Sequence, residues 1–140
     1  MRSTRRYGLL VLFIDDDRDY REVMRLLLEG IGFAVVVAAD GIEDLDQLKR
    51  SQPDLVFCDL AMPGMDGIEF GIRMRGDMRF RRVPLIAVTG RRDRAALLDS
   101  WGAAFDGYLD KPVTADQRAG VIERFARGGR KAARPIRRTA

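Results

Sequence analysis

Four short apolar runs in this chain each stop on charged or hydroxyl side chains, and helical patterns lie between them. Residues 9–14 stop on Asp15 and Asp16, residues 55–58 on Asp59, and residues 85–88 on Thr89. The short pair Tyr108 and Leu109 leads to Asp110, Lys111 and Pro112. Such runs are strands buried on both faces, and their alternation with helices makes the sheet parallel. Ligands of a parallel α/β sheet bind beyond the carboxyl ends of its strands. The chain therefore brings three carboxylates, a hydroxyl and an ammonium to one sheet edge. That set of groups suits a divalent cation and a phosphoryl group.

The composition narrows the function further. A chain of 140 residues is one ordinary domain with room for a core. No apolar stretch approaches the roughly 18 residues of a membrane span. The basic residues 1–6 lead into a run that ends in three aspartates, which is a strand and not a signal peptide. Cys58 is the lone cysteine, so no internal disulfide forms; it reads as a small buried residue in a reducing cytoplasm. There is no histidine. Zinc ligation through imidazole and Ser-His or Cys-His nucleophiles are excluded, and any phosphoimidazole must come from another protein.

The net charge of +4 hides two unlike regions. Residues 7–125 carry 16 of the 25 basic and all 21 acidic residues, a balance of −5, and the two ends carry the other 9 basic residues. A mildly acidic body with basic ends is no sign of a nucleic-acid-binding fold.

Along the chain, Asp17 reads as the N-cap of a first helix. Tyr20, Val23, Met24, Leu27, Leu28 and Ile31 form its inward stripe, and Gly30 is its stop. Residues 33–38 read as the second strand. Asp40 and Glu43 open a second helix as a capping box, with Ile42, Leu45 and Leu48 inward and Pro53 at its end. Asp66 and Glu69 repeat that opening for a third helix, which fails at Gly76. A fourth helix spans 93–101, and a fifth, capped at Thr114, breaks at Gly128. Five strands alternate with five helices through short connections. Right-handed crossovers then favour a doubly wound, open α/β sheet.

Carboxylates packed at one edge repel one another unless a cation neutralises them. Hard oxygen ligands suit Mg²⁺, which tends to bridge a phosphoryl oxygen. Lys111 can pair with a carboxylate at rest and with a phosphoryl oxygen later. Thr89 offers a hydroxyl donor. This is the equipment of a carboxylate nucleophile beside a metal.

In order and spacing, four segments resemble the receiver domain of two-component response regulators. They are residues 13–17 (Phe-Ile-Asp-Asp-Asp), 59–67 (Asp-Leu-Ala-Met-Pro-Gly-Met-Asp-Gly), 88–90 (Val-Thr-Gly) and 108–112 (Tyr-Leu-Asp-Lys-Pro). The resemblance covers about residues 8–127, between a basic extension over 1–7 and a basic, disordered tail over 128–140. It implies a flavodoxin-like, five-stranded parallel sheet of order 2-1-3-4-5 with five helices.

The resemblance also assigns roles. Asp59 accepts phosphate from a phosphohistidine on a sensor histidine kinase or a histidine phosphotransfer protein. Asp16, Asp59 and the main-chain carbonyl of Ala61 ligate Mg²⁺, or Mn²⁺ in its place, and Asp15 holds the metal through water. Lys111 contacts the acyl phosphate. Thr89 and Tyr108 form the switch pair, which alters the face made by the fourth helix, fifth strand and fifth helix. That face would serve a downstream protein target or a homodimer. Pro63 and Gly64 shape the loop after the acceptor, and Pro112 follows Lys111 at a bond that is often cis in receivers. Gly90 keeps the mouth of the site small-sided.

Some positions depart from the pattern. Ala104 stands where many receivers have Gly, and Ala61 is unreactive at a position that often tunes hydrolysis. Gly71 inside the third helix costs about 1 kcal/mol relative to Ala, with no compensation visible in the sequence. Arg18, Arg21 and Arg25 share a helical stripe beside the site and read as a solvated face, with docking of an acidic partner as the alternative. The expectation is a stand-alone, cytoplasmic response regulator without a DNA-binding domain or enzymatic output, catalysing only its own phosphorylation and dephosphorylation. One alternative is the receiver module of a hybrid kinase or longer regulator. The other, an Asp-dependent phosphohydrolase, is disfavoured because Asp19 stands where its motif needs Thr or Val.

Overall fold

The computed structural model describes residues 9–60, 67–89, 104–111 and 120. The expected fourth and fifth helices, the tail, and Ala61, Pro63, Gly64, Gly90 and Pro112 lie outside the described residues, as does the side chain of Thr89. Five parallel strands form one sheet: β1 (Leu10–Ile14), β2 (Ala34–Ala38), β3 (Leu55–Asp59), β4 (Leu85–Thr89) and β5 (Gly107–Asp110). Their spatial order is β2-β1-β3-β4-β5. Among the described residues the helices are α1 (Arg18–Ile31), α2 (Gly41–Ser51) and α3 (Gly67–Arg75), with a single 3₁₀ turn at Met78–Phe80. The sheet type and order agree with the sequence.

Side chains alternate between the two faces, as the strand period requires. Leu12, Ile14, Val56, Cys58, Leu85 and Ala87 pack with Leu48 of α2 and Phe70 and Met74 of α3. Val11, Phe13, Phe57, Ile86 and Val88 pack on the other face with Met24 and Leu28 of α1.

Local chemistry sets the helix ends. The Asp17 carboxylate accepts from the backbone N–H groups of Asp19 and Tyr20, satisfying donors at the start of α1. The stop lies beyond Gly30: the helix runs to Ile31, and Gly32 adopts φ 119° and donates to the carbonyls of Leu28 and Glu29. Only glycine takes that left-handed backbone without strain, so Gly32 ends the helix and β2 begins at Ala34 rather than Phe33. At α2, Asp40 accepts from the Glu43 N–H, while Glu43 reaches back to the N–H of Ala39.

Two packing expectations change. Val23 and Leu27 are not in the core: with Leu26 they are exposed at 52, 42 and 57%. The inward line of α1 is narrower and runs through Tyr20, Met24, Leu28 and Ile31. Gly71 does have a compensation. A Cβ there would stand 3.0 Å from two ring atoms of Phe105 and 3.2 Å from Leu85 Cδ2, so the missing side chain is what seats the Phe105 ring.

Candidate functional site: an acidic cluster at the carboxyl edge of the sheet

Strand register builds the site. Ile14 pairs with Cys58, so Asp15 and Asp59 emerge side by side where β1 and β3 end. Asp59 pairs with Val88, and Thr89 pairs with Asp110, which puts the Thr89 backbone and Lys111 at the same edge. One carboxylate oxygen from each of Asp15, Asp16 and Asp59 lies within 4.8 Å of the others. Asp15 and Asp59 are buried and Asp16 is exposed, so the cluster opens to solvent on one side.

Asp15 is held at every polar atom. Its N–H donates to the Ala38 carbonyl at 3.2 Å, and its own carbonyl accepts from Arg21 Nη1 at 2.9 Å. Oδ1 accepts from the Asp17 N–H at 2.9 Å, and Oδ2 pairs with Lys111 Nζ at 3.0 Å. The same ammonium lies 3.5 Å from Asp59 Oδ2. Burial works against the charge on Lys111, but the Asp15 hydrogen bond and the fields of Asp15 and Asp59 outweigh it and raise its pKa. The amine is thus a fixed cation between two carboxylates.

Behind Asp59 the backbone is closed off. Gly67 opens α3 with its N–H on the Leu60 carbonyl at 3.0 Å. A Cβ at that position would stand 2.2 Å from the Asp59 carbonyl oxygen, closer than any side chain permits. Tyr108, on β5, is half-buried and packs against the α2–α3 side of the core.

The donor set fits Mg²⁺: three hard carboxylate oxygens converge, one of them from the exposed Asp16. Residues 11–123 match the family described as the response regulator receiver domain. The chain belongs to that family.

Individual relatives agree. The receiver is 33% identical over 123 residues to the transcriptional regulatory protein CseB of Streptomyces coelicolor, covering 85% of this chain and 51% of that protein. It thus spans about half the length of the curated regulators of that kind. An uncharacterized 14.6 kDa protein of Leptolyngbya boryana is 37% identical, with 82% of this chain and 88% of that one covered. Among solved structures, the receiver domain of sensor histidine kinase PA1611 of Pseudomonas aeruginosa superposes with a TM-score of 0.78 at 27% identity, over 86% of this chain and 99% of that one. That structure has a magnesium ion coordinated in its active-site cleft.

Three features of the receiver escape a reading of the sequence. Arg21 supports the Asp15 carbonyl instead of standing in a solvated stripe, and Arg25 is taken up by Glu22 and Glu29. Asp44 of α2 is fully buried, with neither carboxylate oxygen hydrogen-bonded. Burial, then the nearby charges of Asp40 and Glu43, lift its pKa to about 8, with Arg21 opposing. Only its place four residues before Leu48, on the same helix face, hinted at this. Finally, Arg75 at the end of α3 ties down the start of β5: it donates to the Ala104 carbonyl at 2.9 Å and to Asp106 Oδ2 at 2.6 Å.

Proposed function

We propose that this receiver takes a phosphoryl group from a phosphohistidine of a sensor histidine kinase or histidine phosphotransfer protein onto Asp59. The observation behind this is the convergence of Asp15, Asp16 and Asp59 with one ammonium bridging Asp15 and Asp59. An Asp59 carboxylate oxygen attacks phosphorus, the phosphorus–nitrogen bond breaks, and the departing imidazole keeps its electron pair and takes up a proton. Lys111 balances charge on the phosphoryl oxygens during transfer, while the hydrogen bonds to Asp15 keep the acidic wall in place. Asp16, Asp59 and the Ala61 carbonyl would hold Mg²⁺ or Mn²⁺, with Asp15 bound through water; the ion would supply charge neutralisation at the phosphoryl group.

Thr89 and Tyr108 form the switch pair in this reading, and Pro63, Gly64 and Pro112 shape the loops around the site. The signal leaves through the face built on the fourth helix, β5 and the fifth helix, toward a protein target or a second copy. The domain then comprises residues 8–127 between basic extensions, and it works in the cytoplasm. No helix among the described residues is long and apolar enough to cross a membrane.

We favour a regulator consisting of the receiver alone, because the Leptolyngbya relative is covered over 88% of its length. The alternative, a module of a hybrid kinase or longer regulator, is supported by the CseB relatives, covered over about half of theirs. The reading frame in the source genome decides between them. For the chemistry, the protein is incubated with Mg²⁺ and acetyl phosphate and its mass is measured. The wild type gains one phosphoryl group at Asp59 and Asp59→Asn gains none; identical behaviour of the two would refute the assignment.

A further inference from the structure

Lys111 has a third neighbour besides the two carboxylates. Its Nζ stands 5.0 Å from the centroid of the Tyr20 ring, within the range in which an ammonium is attracted to an aromatic face. That ring is itself fixed. Tyr20 lies in the first turn of α1, directly after the Asp17 cap, and its ring tilts against Phe13 at 5.9 Å. Phe13 is fully buried in β1 and leans in turn on Phe57 at 6.1 Å. A row of rings therefore runs from the sheet core to the mouth of the acidic cluster, and the lysine ammonium rests at its outer end.

The three neighbours differ in what a reaction does to them. Asp15 and Asp59 are drawn toward any cation that enters the cluster, and Asp59 loses its free carboxylate on accepting phosphate. The ring face changes in neither event. We propose that Tyr20 is a positioning residue for Lys111, holding the ammonium over the phosphoryl site while the carboxylates are engaged elsewhere. This rests on the proposed phosphoryl transfer to Asp59. It assigns a part in that transfer to a side chain that otherwise reads only as one of the inward apolar residues of α1.

The test uses the full chain and separates a ring effect from packing. Tyr20→Leu and Tyr20→Met remove the ring, the second with a flexible side chain that fills space and guards against misfolding. Tyr20→Phe keeps the ring without the hydroxyl. With acetyl phosphate at saturating Mg²⁺, both ringless variants are expected to slow phosphorylation about five- to tenfold in the maximal rate, the size of a lost cation–π contact. The acetyl phosphate concentration for half-maximal rate stays unchanged, and Tyr20→Phe restores the rate. By NMR, the Lys111 ε-methylene protons are shifted upfield by the ring in the wild type and in Tyr20→Phe, and they return to ordinary positions in the ringless variants. Equal rates in all four proteins, a Phe variant as slow as the Leu variant, or lysine resonances indifferent to the ring would each overturn the inference and leave phosphorylation of Asp59 standing. A wild type that takes no phosphate would sink the proposed function, and the role of Tyr20 with it.

Discussion

Asp44 and Gly67 show how single positions set the properties of the site region. Asp44 is buried with its carboxyl lifted from an ordinary 3.8 to about 8, so the folded chain keeps a proton that the unfolded chain has released. Because the folded state binds more protons between those values, stability falls as pH rises from about 4 to about 8 and is level above that. Asp44→Asn removes the titration. Its advantage over the wild type in denaturant titrations is expected to grow by up to about 1.4 kcal/mol per pH unit across that window. A difference independent of pH would contradict the assignment. Gly67→Ala drives a methyl group into the Asp59 carbonyl, where only backbone can yield. The expected cost is about 1–3 kcal/mol in chemical denaturation, together with slower phosphorylation of Asp59. The acidic cluster could be read in the sequence because each Asp follows an apolar run. Asp44 could not, since a carboxylate on a helix is ordinarily solvated and only the fold turns this one inward.

At the scale of elements, α1 and α3 mark how far periodicity reaches. The repeat in α1 is real, but it marks a wide stripe, and the sheet covers only the line through Tyr20, Met24, Leu28 and Ile31. How much of a stripe is covered depends on neighbouring elements, which the repeat does not encode. In α3 the puzzle was Gly71, whose partner lies 34 residues later in the chain, at Phe105. Helix propensity alone predicts a gain of about 1 kcal/mol for Gly71→Ala. Against the buried Phe105 ring, the substitution is expected to destabilise instead. In a Phe105→Leu background the sign reverses, and a double-mutant cycle of unfolding free energies reports the coupling. Additive effects would mean that the ring and the glycine do not share the space.

Across the whole molecule, the β2-β1-β3-β4-β5 order separates two tasks. The carboxyl edge gathers the chemistry, while the opposite edge holds the frame through Arg75. Its guanidinium bonds the carbonyls of Ala104, Phe80 and Val83 and the carboxylate of Asp106, which also accepts from the Leu85 N–H. Arg75→Ala leaves that buried carboxylate without its ion pair, and a loss of about 3–5 kcal/mol is expected in thermal or chemical unfolding. Mg²⁺ would act from the other edge, at the acidic cluster. At a hundredfold excess over its dissociation constant it should add about 2.7 kcal/mol of stability, and Asp16→Asn should blunt that gain; a melting temperature indifferent to Mg²⁺ would count against a metal site. The cluster was legible because each Asp ends an apolar run, and the strand order because four segments resemble a receiver; short right-handed connections alone favoured only a doubly wound sheet. The Arg75 contacts were not legible, because an arginine at a helix end ordinarily points to water.

The abutment of Gly67 on the carbonyl of Asp59 has a mechanical consequence. With the two backbones this close, the end of β3 and the start of α3 have no spare space between them, and neither can shift toward the other without a clash.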